Sequence, residues 1–347
     1  MQRLTLAGRL LITALVLGGV YAGYKYLGGE NLIKKSAEEA KIEAATTAAS
    51  PEASPTLPAS ESSAPADNSA TDQPATNTDR QPFTYTAEAP VDGKLKGVVA
   101  LGASGFDSFI VRVDKQKRWK LEKAEFGNSL VTENMATEDD IRTGLKKYIG
   151  NMLDFGVGGR DIHFVVSSGA VKAEVTQKII KALKSLNYFV NTVTPEQEGK
   201  MGLLTAVPAS FSNSAFMADI GSGNTKIAWK DGSKTTALES YGSKYFQNSV
   251  DDATVYDDVK AKAKQIAASN RKTCFIIGGA PFDMAKSIRN GKERYTVLNP
   301  PSAYKMDNAK GKAGLNIYKA LADATGCQQF VFDWDANYTV GFLLNLP

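Results

Sequence analysis

The chain is poor in the side chains that most often bind metals or carry redox chemistry. Among 347 residues there is one histidine, His163, and there are two cysteines, Cys274 and Cys327. That is too few for a zinc site, a disulfide framework or a dithiol redox centre. Any hydrolytic chemistry would therefore rest on carboxylates, hydroxyls and backbone amides. Charge of one sign is also lacking: 41 basic and 37 acidic residues leave a net +4 spread along the chain. No concentrated basic patch follows, so nucleic acid is not an expected partner. The composition, 43% hydrophobic and 22% charged, excludes collagen, coiled-coil and wholly disordered classes and suffices for two ordinary domains with cores. His163 falls in a buried-strand pattern and reads as a core residue. The cysteines read as core thiols, with a disulfide between them the alternative in an oxidising compartment.

One long apolar run exists, Leu10 to Tyr24 (LLITALVLGGVYAGY), with Arg3 and Arg9 before it and Lys25 after it. Residues 1–29 therefore read as a signal anchor or single transmembrane helix. The run is short for the roughly 20 residues a crossing needs, unless Arg9 and Lys25 snorkel outward. A cleaved signal peptide competes with this reading, but no small-x-small cleavage site follows the apolar core. Basic residues flank both ends, so they do not set the orientation. Residues 30–81 are rich in Ala, Thr, Ser and Pro and nearly free of aromatic and branched aliphatic residues. Such a segment cannot offset its ordering entropy and is expected to be a disordered linker. An anchor and neutral tether suit a single-pass protein of a bacterial inner membrane with a periplasmic domain. Its expected partners are then the membrane and a cell-envelope protein complex.

From Lys96 the pattern becomes compact apolar strands and amphipathic helices. The spacing predicts strands at Gly97–Leu101, Ser108–Val113 and Trp119–Phe126. A helix at Glu138–Phe155, a strand at Ile162–Val166, a helix at Val171–Leu186 and a strand at Tyr188–Val193 follow. The order then repeats. Strands are predicted at Ala215–Ile220, Thr225–Lys230 and Lys234–Glu239, followed by a helix at Ala253–Ala268 and a strand at Thr273–Ile277. A helix at Leu315–Ala324, a strand at Gln329–Phe332 and a last helix at Ala336–Leu346 complete the second half. Two α/β halves, 96–205 and 206–347, imply a cleft between them, where ligands usually sit.

Glycine-rich turns join the first two strands of each half. In the second, Asp219-Ile-Gly-Ser-Gly-Asn-Thr225 offers backbone N–H groups at Gly221 and Gly223, with donors on Ser222, Asn224 and Thr225: an anion cradle. Asp219 at the strand end suits the water shell of Mg²⁺. An ordinary hairpin turn using glycine for positive φ is the alternative. The first half carries Gly102-Ala103-Ser104-Gly105 in the matching place, and two such turns could face each other across the cleft.

Five segments in order resemble the superfamily of actin, sugar kinases and heat-shock chaperone ATPases, and within it the exopolyphosphatase and guanosine pentaphosphate phosphohydrolase family, with apyrase-like features. They are Val98–Val111, Val166-Ser-Ser-Gly-Ala-Val-Lys172, Thr194-Pro-Glu-Gln-Glu-Gly-Lys-Met-Gly202, Met217–Lys226 and Cys274-Phe-Ile-Ile-Gly-Gly-Ala280. The resemblance covers the folded part from about Lys96 onward. It implies two ribonuclease H-like, actin-like ATPase subdomains around a central cleft. It also implies phosphate loops at 102–105 and 221–225, a nucleotide base beside Gly278 and Gly279, and Mg²⁺ held through Asp219.

Two departures bear on activity. The family's first loop begins with Asp where this chain has Ala100, and the first of its paired glutamates matches Gln197. Glu198 and Glu196 remain as carboxylates to orient water, and Lys172 and Lys226 are placed to offset charge on a polyanion. The leading expectation is a membrane-anchored phosphoanhydride hydrolase acting on polyphosphate or a nucleotide, with Glu198 and Asp219 catalytic. An inactive actin-like scaffold of an envelope complex, which Ala100 and Gln197 favour, is the alternative. A cytoplasmic assembly factor would need the opposite insertion.

Overall fold

The computed structural model describes residues 83–102, 105–126, 138–172 and 174–347. The anchor at 1–29, the linker at 30–81 and the turn residues Ala103 and Ser104 lie outside the described residues. No helix among the described residues is long and apolar enough to cross a membrane.

The first half folds as β1 (Lys94–Gly102), β2 (Gly105–Val113), β3 (Trp119–Phe126), α1 (Glu138–Asp154), β4 (Ile162–Val166), α2 (Glu174–Ser185) and β5 (Val190–Thr192). A linking helix, α3 (Pro195–Ala206), follows. The second half comprises β6 (Ala215–Ile220), β7 (Asn224–Asp231), β8 (Lys234–Tyr241), α4 (Asp252–Ala263), β9 (Thr273–Ile277), α5 (Gly279–Lys286), β10 (Tyr295–Val297), α6 (Ala309–Thr325), β11 (Gln329–Asp333) and α7 (Tyr338–Asn345). The first sheet has the order β3-β2-β1-β4-β5 and the second β10-β11-β9-β6-β7-β8. With β10 set aside as an added antiparallel edge, the two orders are the same. Each sheet has an antiparallel three-strand meander followed by parallel strands.

Period-two alternation explains why each sheet has two buried faces. On β1, Val99 and Leu101 join a core with α1 and α2, while Val98 and Ala100 face a second core. That second core is completed by α7, through Val340, Phe342, Leu343 and Leu344. In the second sheet, Phe216, Ala218 and Ile220 pack with α4, α5 and α6, and Met217 packs with Leu203 and Ala206 of α3. The inner helices are thus exchanged: α3 leaves the first sheet to cover the second, and α7 leaves the second sheet to cover the first. Thr205 Oγ1 donates to the Asn337 carbonyl at 3.2 Å where the two meet. A division at 205/206 separates the sheets but not the helices between them.

Order begins ahead of Lys96. Phe83 packs against Phe211, Phe275 and Tyr295 of the second half, with ring centroids 5.1–5.5 Å apart. Further on, the Val91 N–H donates to Asp114 Oδ2 in the first half at 3.1 Å. His163 is half-buried with its ring 5.9 Å from Phe342, and both cysteines are free thiols. Arg294 forms a two-pronged pair with buried Asp333 and stacks on Trp119 at 4.4 Å.

Because α7 is bound chiefly by apolar packing, Leu343→Ala is expected to lower stability by about 2–5 kcal/mol, as a fully buried leucine does. Urea unfolding should show a lower midpoint at an unchanged slope.

Candidate functional site

The first turn of α3 fixes the site. Thr194 is its N-cap and Pro195 its first residue, and Gln197 closes a capping box: Thr194 Oγ1 accepts from the Gln197 N–H at 3.2 Å, and Gln197 Oε1 accepts from the Thr194 N–H at 2.9 Å. Gln197 is therefore a helix-start residue, with its side chain turned back along the chain. Glu196 is exposed and pairs with Lys200 at 2.6 Å. Of the three side chains, Glu198 alone enters the protein, where it is 0% exposed.

Glu198 Oε2 is held from two sides. Lys226 Nζ on β7 lies 2.9 Å away, and Ser168 Oγ, in the loop after β4, donates to the same oxygen. Oε1 is buried without a hydrogen-bond partner. Lys226 Nζ also lies 3.8 Å from Asp219 Oδ2 and 5.9 Å from the centre of the Tyr338 ring, at the start of α7. Lys226 can come this close because Gly199 follows Glu198: a Cβ there would lie 2.7 Å from Ala237 Cβ and 3.5 Å from Lys226 Cβ. Lys226 is 3% exposed, so its charge is spent on these carboxylates and not on a ligand in solvent. Lys172 is exposed.

Burial pushes the Asp219 carboxyl up from the usual range, Lys226 pulls it down, and the negative Glu198 adds to the rise. The Tyr338 hydroxyl is raised well above its ordinary value by burial and then by Glu198, Asp219 and Asp107. Asp107 is not among the residues singled out from the sequence. It lies on β2 directly across from Ala100, as Lys226 lies on β7 across from Asp219. A carboxylate thus stands on the neighbouring strand opposite Ala100, at the position that Lys226 fills in the second half. Burial pushes Asp107 up to about 6, against the pull of Lys310.

The turn at 221–225 is more closed than its sequence suggests. The Gly221 N–H donates to the Asn224 carbonyl at 3.1 Å, so it serves the hairpin. Asn224 is buried, and its side-chain amide donates to Ser168 Oγ at 3.0 Å and Glu239 Oε1 at 2.7 Å. Thr225 is buried with Oγ1 unpartnered. Gly221 and Ser222 are half-buried and Gly223 is exposed, which leaves the tip of the turn open to a ligand. In the first half, Gly102 and Gly105 pair across the turn.

Gly278 sits under this turn. Its φ of +104° needs glycine, and a Cβ would strike the Ile220 carbonyl and lie 2.9 Å from Asp219 Oδ1. Gly278 therefore supports the carboxylate, while Gly279 opens α5 with Lys310 Nζ 3.4 Å from where its Cβ would be. Lys244, whose N–H donates to the Ser222 carbonyl, is held below the usual lysine range by burial and by Lys310. Among the described residues neither Lys244 nor Lys310 has an ion-pair partner. The Lys244 backbone adjoins the Gly221–Gly223 turn, and the Lys310 ammonium lies beside Gly279.

The residues do not fit Mg²⁺ bridging Asp219 and Glu198. An ammonium already stands between Asp219 and Glu198, where a cation bridging them would go. No group of three or more His, Cys, Asp or Glu among the described residues is placed to hold a metal.

No protein-family model matches the chain, and no curated protein sequence does. Solved structures do. The Ppx/GppA family member of Aquifex aeolicus is similar at 16% identity with a TM-score of 0.56, over 72% of this chain and 96% of that one. An exopolyphosphatase from Cytophaga hutchinsonii is similar at 14% identity and a TM-score of 0.56, over 72% and 96%. An exopolyphosphatase-like protein gives 13% and 0.55, over 74% and 98%.

Two predictions follow from this geometry. Lys226→Met should cost about 3–5 kcal/mol in urea unfolding, since it leaves buried carboxylates without their cation, and adding Glu198→Gln should recover part of the loss. Asp107 binds its proton more tightly folded than unfolded, so stability falls as pH rises from 3.8 to about 6 and the penalty is complete above that window. Discounted for partial exposure, Asp107→Asn should raise the melting temperature at pH 7.5 by about 2–4 °C, with the gain shrinking toward pH 4.

Strand order, duplicated halves and the match over nearly the whole of these structures together give the chain the actin-like fold seen in the Ppx/GppA exopolyphosphatases.

Proposed function

We propose that the protein is a phosphoanhydride hydrolase that binds polyphosphate or a nucleotide in the cleft between its halves, held at a membrane by residues 1–29. The observation that carries this reading is Glu198. One of its oxygens is held by Lys226 and Ser168, and the other is buried without a protein partner. A buried carboxylate oxygen needs a donor, and a single water supplies it. Such a water is oriented for attack on a phosphoryl group. Its oxygen forms a bond to the terminal phosphorus as the bridging P–O bond breaks, and its proton leaves through Glu198. The tip of the Gly221–Gly223 turn holds the transferring phosphate, and Lys244 and Lys310 offset the charge of the polyanion.

The second reading, a binding or scaffold protein without turnover, is favoured by Ala100 and by the close pairing of Glu198 with Lys226. Phosphate release from tripolyphosphate and ATP by the full-length chain separates the two, with ligand-induced thermal stabilisation read in the same wells. A hydrolase releases phosphate, and Glu198→Gln lowers release by about 100-fold or more while stabilisation persists. Stabilisation without release selects the scaffold reading. Absence of both release and stabilisation rules out a phosphate ligand.

A further inference from the structure

We infer that phosphate ligands bind in this cleft without a divalent cation, because the Lys226 ammonium holds the place that one would occupy between Glu198 and Asp219. The inference rests on the proposed phosphate ligand but is argued from the carboxylates alone. Two buried carboxylates on different elements, α3 and β6, converge on one point, and that point is filled by Nζ at 2.9 and 3.8 Å. Mg²⁺ would need oxygens at about 2.0–2.1 Å and several waters of its own. Neither the distances nor the 3% exposure of Lys226 leaves room for them between the two carboxylates.

The surroundings suit an organic cation. The Tyr338 ring offers its π system at 5.9 Å, a contact that suits a lysine ammonium. The stem of Lys226 runs beside the gap at Gly199, which a larger residue would close. Lys226 faces Asp219 directly across the β6–β7 hairpin, so the ladder itself delivers the ammonium. The lysine is therefore a fixed counter-ion, set by backbone register and unaffected by chelators. Lys244, whose backbone adjoins the turn, and Lys310, beside Gly279, extend the same logic to the ligand's charge, which protein cations would meet.

The test uses the full-length chain and two arms. In the first, thermal stabilisation by tripolyphosphate is titrated in excess EDTA and in excess Mg²⁺. The same midpoint concentration in both supports the inference. Stabilisation in Mg²⁺ alone overturns it while leaving the phosphate ligand standing. Absence of stabilisation in both counts against the phosphate ligand, and the second arm then decides.

That arm measures Mn²⁺ binding without any phosphate, by the loss of the free-ion electron paramagnetic resonance signal. The wild-type chain is expected to show no Mn²⁺ site that depends on Asp219, and Lys226→Ala to gain one such site per chain. A saturable wild-type site that disappears in Asp219→Asn overturns the inference, whatever the first arm gives. Should Asp219→Asn fail to fold, Glu198→Gln removes the opposite carboxylate and serves the same comparison.

Discussion

Taking Lys226 and Glu198 out of water together, with Asp219 beside them, is the constraint around which the centre of the molecule is arranged. Each ion alone would cost several kcal/mol to bury, and their attraction offsets this where geometry is good and the remaining lone pairs are met. The elements that meet the requirement come from everywhere in the chain. α3 presents Glu198 in its first turn, where the helix dipole also favours a negative charge. β7 presents the ammonium, the loop after β4 brings Ser168, and α7 covers the group with Tyr338. Exchange of the inner helices makes this possible, since without it α3 and α7 would not meet both sheets.

The duplicated hairpins show how one scaffold yields a single site. Ala100 stands two residues before Gly102 as Asp219 stands two before Gly221, and each faces the first strand residue that carries charge on its partner. The pairs are filled in opposite ways. The first half has an apolar residue and an acid, the second an acid and a base. Asp107 is left without a direct cation and takes its proton near neutral pH, while Asp219 is compensated across the ladder.

Much of the architecture was legible because buried strands write short apolar runs bounded by turns. Trp119–Phe126, Ile162–Val166, Ala215–Ile220 and Thr273–Ile277 have the same limits in sequence and structure. Two helices were not legible. α3 lies between a sheet and another helix, so Gly199, Gly202, Thr205 and Ala206 are buried on several sides and no single apolar stripe marks it. α5 begins at Gly279, and the Gly-Gly pair masks it as a turn. Glu198 and Asp219 could be singled out from their neighbours, but the partners of Lys226 could not, because β7 is buried on both faces and alternation cannot tell which way a lysine points. Thr194, three residues before Gln197, was the available signal that Gln197 caps a helix.

Access to Glu198 follows from the same contacts. Ser168 belongs to the first half, and it donates to Glu198 and accepts from Asn224, which together tie that loop to the hairpin of the second half. With Glu198 fully buried, the ligand of the proposed function would meet the water on its free oxygen only when this loop parts from the turn. Breaking one charged and one neutral hydrogen bond costs about 2–4 kcal/mol if water does not replace them, and less if it does. A penalty near 3 kcal/mol weakens apparent affinity by roughly a hundredfold. A polyanion met by Lys244 and Lys310 can supply that much, whereas a singly charged anion gains far less from the same two ammonium groups. Under the proposed function the closed loop would favour ligands with several phosphates over inorganic phosphate, through the cost of opening and without any contact to a base.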